Sequence, residues 1–278
     1  GSVATALQTN PGAIKDSGTT KIGLRLLNPG APLTQQLLGD CSYHGATTLD
    51  TATAIALGDS GLPNSTPIEM GNGSSLDLST KTDKTFTLGA AQTLKADGAV
   101  NHNGNFITQG KVTLKVNKSA GTVTNDSLKI ATGYSVTYGG TLSLDLSGDA
   151  LTSAETIKLF DASSYTSGSA FSTLSPATPG AGLAWNTSTL TTDGTLRIDA
   201  SIPTTPTNIT YTVIAGGMQI ELAWPEAYTG WKLQGQTNAP GVGLTTSWYE
   251  VPGSATTNRV YLPIDPANGS VFFRMVVP

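Results

Sequence analysis

The chain has 278 residues, of which only 12% are charged and 6% aromatic, with 32 glycines and 15 prolines. A formal charge of −4 and a pI near 5.1 give no long-range attraction to a polyanion, which argues against nucleic acid as a partner. One cysteine, Cys41, rules out an intramolecular disulfide, and with His44 it falls short of a four-ligand zinc site. No metal or cofactor is therefore expected. No window holds the roughly 18 apolar residues of a membrane span, and no basic-then-apolar leader opens the chain. Thr and Ser are abundant beside the 32 glycines, and a hydroxyl-rich chain with frequent Gly favours strands and turns over helices.

Residues 1–39 are read as an N-terminal arm or cap, irregular and apolar enough to lie on the main body or on a neighbouring subunit. Within it, residues 21–27 (KIGLRLL) form a credible strand, closed by the turn signal Asn28-Pro29-Gly30. Residues 32–38 could form one helical turn.

A β-helix domain is expected over residues 40–201. Short alternating runs recur from residue 47 onward, clearest at Val112-Thr113-Leu114-Lys115-Val116 and Leu142-Ser143-Leu144-Asp145-Leu146, with Gly, Asn, Asp and Ser between them. Strands of three to five residues at a loose period, without helical crossovers, fit a right-handed parallel solenoid in which each coil lays two or three strands. A sandwich or meander is the alternative, and Gly139-Gly140 reads locally as a two-residue hairpin loop. The lysines at 81, 84, 95, 111, 115, 118 and 129 crowd into this region. They are read first as solvated or edge-protecting positions, with a local basic strip between acidic ends as the alternative. Both ends of such a stack need capping, by the arm, by the last module or by another molecule.

The order GTLSLDLSG, LTSAETIKLFDAS and GLAWNTSTLTTDGTLRI between residues 140 and 198 resembles the end of the autotransporter-associated β-strand repeat regions of long secreted or surface proteins of Gram-negative bacteria. That resemblance covers roughly residues 75–200. It implies a parallel β-helix and an extracellular or cell-surface address; it does not imply an enzyme.

After the Pro/Thr linker IPTTPT at residues 202–207, six short strand signals over residues 207–278 suggest a small antiparallel β-sandwich near the lower size limit for autonomous folding. Trp224, Trp231 and Trp248 are its expected core. Its run through VFFRMVVP looks like the terminal module of similar secreted proteins.

Candidate chemistry is sparse. Asp145, Asp149, Glu155 and Asp161 are the solenoid carboxylates that could form a glycosidase pair, but Asp149 reads as a turn residue and Asp145 points outward between leucines. His44 and His102 lack a nucleophile elbow and read as a loop and a turn histidine; residues 101–105 (NHNGN) read as a corner. Asp59 and Asp193 match no calcium pattern. In the last module Tyr228, Gln234, Gln236 and Tyr249 could offer rings and amides to a glycan, Tyr228 being the better exposed. The expected function is a non-enzymatic extracellular structural subunit that associates head to tail with copies of itself. A carbohydrate-binding stalk is the alternative, and a polysaccharide lyase or hydrolase is third.

Overall fold

The computed structural model describes residues 6–28, 30, 33–153 and 155–277. The chain divides into two units: the first runs to residue 180 and takes back residues 184–199, and the second holds residues 181–183 and those from 200 on.

The first unit is a parallel β-helix of three sheets. Ala6–Asn10, Leu33–Leu37, Ala54–Leu57, Ser75–Asp77, Ala99–Asn103, Ser127–Ile130 and Phe160–Asp161 form the first sheet. The second contains Leu24–Leu26, Thr47–Leu49, Ile68–Met70, Thr93–Ala96, Lys111–Ser119, Thr141–Gly148 and Thr173–Ser175. A third, of Thr85–Leu88, Asn105–Thr108, Ser135–Thr137 and Ser164–Tyr165, begins only in mid-chain. Early coils thus lay two strands and later ones three. Along the first sheet the step is 27 residues at the start (Ala6 to Leu33), falls to 20 (Thr34 to Ala54) and then grows to 32 (Leu128 to Phe160).

Period-2 alternation sends every second side chain inward, and parallel register stacks those side chains into columns. Thr47, Ile68, Leu94, Val112, Leu142 and Leu174 align across the second sheet. Ile55, Leu76, His102 and Ile130 align across the first, and Phe86, Phe106 and Val136 across the third. A leucine buried in such a column contributes about 2 kcal/mol.

Two local expectations are corrected. The flanks of Gly139-Gly140 belong to different parallel sheets, so this pair is a corner and not a hairpin loop. Gly140 sits at φ 62°, and a Cβ there would run into the Gly110 carbonyl of the coil below. The hairpin lies instead at Ala120-Gly121, where Ser119 faces Thr122 and both loop residues have positive φ, 49° and 79°. Positive φ at both central positions matches the right-handed twist of the flanking strands. The region before residue 40 is also more regular than its composition suggests. Leu33–Leu37 is a strand, not a helical turn, held between Ala6–Asn10 and Ala54–Leu57.

The C-terminal end of the helix is covered by its own chain. Tyr138, Phe160 and Phe171 pack with ring centroids 5.0–5.9 Å apart. The short helix Leu190–Asp193 lies over them, its Leu190 carbonyl accepting the Tyr138 hydroxyl at 3.0 Å. An antiparallel sheet of Thr156–Lys158, Thr195–Ala200 and Leu183–Asn186 completes this end.

The second unit contains two three-stranded antiparallel sheets, Thr210–Ile214 with Gln219–Ala223 and Arg259–Pro263, and Tyr249–Glu250 with Lys232–Asn238 and Ser270–Val276. Leu222, Trp224, Leu233 and Val251 form the core between them. Trp231 is buried just before its strand, its indole N–H donating to the Pro203 carbonyl at 2.7 Å. Trp248 is only half-buried, so two of the three expected tryptophans are interior.

Candidate functional site

Along the β-helix the side chains with chemical potential are each engaged locally. Glu155 meets the ammonium of buried Lys118 at 2.5 Å and accepts from the Thr152 hydroxyl at 2.8 Å. The lysine, aided by Thr152, holds its carboxyl down to about 2. Asp149 accepts the Ala120 N–H of the hairpin, Asp161 lies 3.4 Å from Lys158, and Asp145 faces Lys115 across the ladder. Asp59 and Asp193 each accept a Thr N–H and hydroxyl, which lower their pKa values. The crowded lysines form a mosaic and not a basic strip: Lys95 pairs with Glu69, Lys115 with Asp97 and Lys81 with Asp83.

The two histidines differ. His44 bonds through Nδ1 to Asp16 at 2.7 Å, and Asp16, also capped by the Ile22 N–H, sits below the usual carboxylate range. His102 belongs to the strand Ala99–Asn103 and points inward, 3% exposed, edge-on against Phe86 and Phe106. Burial lowers its pKa to about 4. The corner expected over residues 101–105 is confined to Gly104. Cys41 is buried, and its thiol pKa is raised by that burial. Among the described residues no group of three His, Cys, Asp or Glu converges on a metal position.

Concavity is found on both units: a hollow of about 680 Å³ on the second sheet of the β-helix, lined among others by Thr48, Glu69, Lys95, Asp97 and Lys115, and a cleft in the second unit. In the second unit, residues of both sheets line a cleft of about 820 Å³, among them Tyr211, Ile220, Tyr249, Leu262 and Phe273, with Asp265, Asn268 and Thr237 as polar lining. Tyr211 is 72% exposed and Tyr249 51%. The Tyr249 ring rests on Gly235, where a Cβ would meet it at 2.7 Å, so the glycine is what lets the ring lie flat.

The four glycan candidates do not converge. Tyr228 is half-buried, edge-on to Trp231 at 5.5 Å and packed on the core, so it is not the exposed ring that its loop position suggests. Gln236 is 1% exposed and fully used: its amide nitrogen donates to Thr245 and Ser247, and its oxygen accepts from Thr245 N and Asn238. It pins the 239–248 loop and is closed to ligand. Tyr249 faces the cleft, whereas Gln234, one register position away, faces outward on the same sheet. There Gln234 accepts Nε of Arg274 at 2.9 Å, and the guanidinium lies 4.2 Å over the Trp248 ring. Local sequence reading misses Tyr211 and Arg274. The alternation in VFFRMV marks Arg274 as outward, but its opposition to Gln234 depends on a strand 40 residues away.

By architecture the chain is a parallel β-helix followed by a small antiparallel sandwich. No family model matches it, and neither a curated protein nor a solved structure does. Among the described residues no helix is long and apolar enough to cross a membrane.

Proposed function

We propose that this is a non-catalytic extracellular scaffold of the autotransporter-associated repeat kind, a β-helical body whose small sandwich makes the contacts through which copies associate. One observation carries the reading. Of the fourteen large apolar side chains that stand exposed among the described residues, ten follow residue 206, including Tyr211, Val213, Met218, Leu244 and Tyr249. Such a concentration on one small unit supports an interaction surface there, since contiguous exposed apolar patches are what interfaces are built from. The β-helix, by contrast, buries its apolar columns, and its C-terminal end lies under its own aromatic cluster. Association through the sandwich therefore has more support than stacking of coils head to tail.

Sedimentation velocity and negative-stain microscopy across a concentration series test this. Assemblies are expected to grow with concentration, and the Tyr211→Ser, Val213→Thr double variant is expected to weaken them about tenfold or more. A wild-type protein that stays monomeric at the highest concentration would sink the proposal. A second reading, glycan binding by the sandwich, is favoured by the two exposed tyrosines of the cleft and by the outward Gln234. Glycan-array binding lost in Tyr249→Ala would support its cleft version.

A further inference from the structure

The outward face of the sheet Tyr249–Glu250, Lys232–Asn238 and Ser270–Val276 carries an arginine held in place without a counter-ion. The chain has four arginines. Arg25 pairs with Asp50, Arg197 with Asp193 and Arg259 with Glu221. Arg274 makes no ion pair among the described residues; it stacks 4.2 Å over Trp248 and gives its Nε to Gln234. The carboxylate on the same row, Glu250, is opposite Gln234 and already bonded to Lys232 at 3.0 Å. Stacking and the Nε bond together fix the plane of the guanidinium and leave its two terminal amino groups unused. A planar N–H fork of that kind matches a carboxylate with two parallel hydrogen bonds. Because it is already oriented, little side-chain freedom is lost on binding.

Resting on the glycan-binding reading, we propose that this face is a subsite for a carboxylated sugar, a uronate unit of an acidic polysaccharide. The sugar carboxylate takes the two terminal amino groups of Arg274. A ring hydroxyl accepts from the Gln234 amide nitrogen. The pyranose ring lies beside Trp248 and Phe272, the latter two residues from Arg274 on the same face of its strand. One arginine without an ion pair among the described residues, on a chain of net charge −4, suits one carboxylate per sugar better than a dense polyphosphate, which requires several cations in a row.

The test is calorimetric titration of the full chain with oligogalacturonate, with the same oligomer fully methyl-esterified and with a polyglutamate peptide. Oligogalacturonate is expected to bind, more weakly as salt rises. Esterification or Arg274→Gln is expected to cost about 10- to 100-fold, the usual worth of a charge-assisted pair. Arg274→Lys should lose most of that despite keeping the charge, because the fork is lost. Gln234→Ala, which frees Nε without removing the cation, serves as a second variant if melting curves show Arg274→Gln unfolded, and is expected to weaken binding several-fold. Equal binding of the ester, or full binding by Arg274→Lys and Arg274→Gln, would overturn the assignment. So would a lack of binding to galacturonate, glucuronate and mannuronate oligomers alike. Polyglutamate bound as tightly, with the same dependence on Arg274, would reassign the site to an acidic protein. Neutral-glycan binding that needs Tyr249 but ignores Arg274 would overturn this subsite and leave the glycan reading standing.

Discussion

Packed edge-on against the stacked rings of Phe86 and Phe106, the His102 imidazole keeps one hydrogen bond, from Nε2 to the Asn105 carbonyl at 3.2 Å, while Nδ1 has no partner. Charging it there removes an ion from water without compensation. Its folded pKa of about 4 lies below the ordinary 6.5, so the unfolded chain binds the proton more tightly. The stability this represents is therefore complete above pH 6.5 and is lost as pH falls from 6.5 toward 4, about 3 kcal/mol in all. In urea titrations from pH 8 to 4, His102→Phe is expected to flatten that part of the profile. An unchanged slope would show that the imidazole is charged or hydrated in the fold. Glu155 works in the same direction at lower pH: its depressed pKa gives stability that is present above 4.5 and lost between 4.5 and 2. Glu155→Gln leaves Lys118 buried with only the Ala150 carbonyl. It should cost about 3 kcal/mol, and most of that loss should return in the Lys118→Met, Glu155→Gln double variant, because the penalty is the uncompensated charge.

At the scale of elements, what a local pattern can tell depends on where the partner lies. Lys111–Ser119 and Thr141–Gly148 are readable as strands because their inward Val112, Leu114, Leu142 and Leu144 alternate with polar residues. Leu33–Leu37 is not readable, since its LTQQL pattern becomes a strand through backbone bonds to chains 20 residues on and 27 residues back. A histidine among asparagines likewise suggests a turn, until the register places it over Leu76 and under Ile130. The amide of Gln236 reads locally as open to a ligand, but the groups that saturate it lie in a loop 9–11 residues away. The hairpin supplies a direct check of turn chemistry. Ala120 sits at φ 49°, which a Cβ disfavours, while its N–H is already bonded to Asp149. Ala120→Asn keeps that bond and tolerates the conformation, so denaturant midpoints should rise by an equivalent of about 0.5–1 kcal/mol. A loss of stability would mean that the loop is held by something other than its backbone geometry.

The two units of the whole molecule hold together by different means, and this can be separated spectroscopically. The β-helix relies on a long ladder with stacked aliphatic columns, whereas the sandwich relies on Trp224, Leu222, Leu233 and Val251. Three of the four tryptophans, Trp224, Trp231 and Trp248, lie in the sandwich unit, and only Trp185 lies in the first. In Trp185→Phe, tryptophan fluorescence therefore reports the sandwich alone, while far-UV circular dichroism is dominated by the larger β-helix. Separate cores joined by a short linker favour separate unfolding steps. Thermal melts of Trp185→Phe are expected to give different midpoints by the two probes. Lowering the pH from 7 to 5 should then move the dichroism midpoint, through His102, more than the fluorescence midpoint. Adding His102→Phe should abolish most of that difference. Coincident transitions at every pH would instead show one cooperative unit, and the sandwich would have to draw its stability from the β-helix despite its own core.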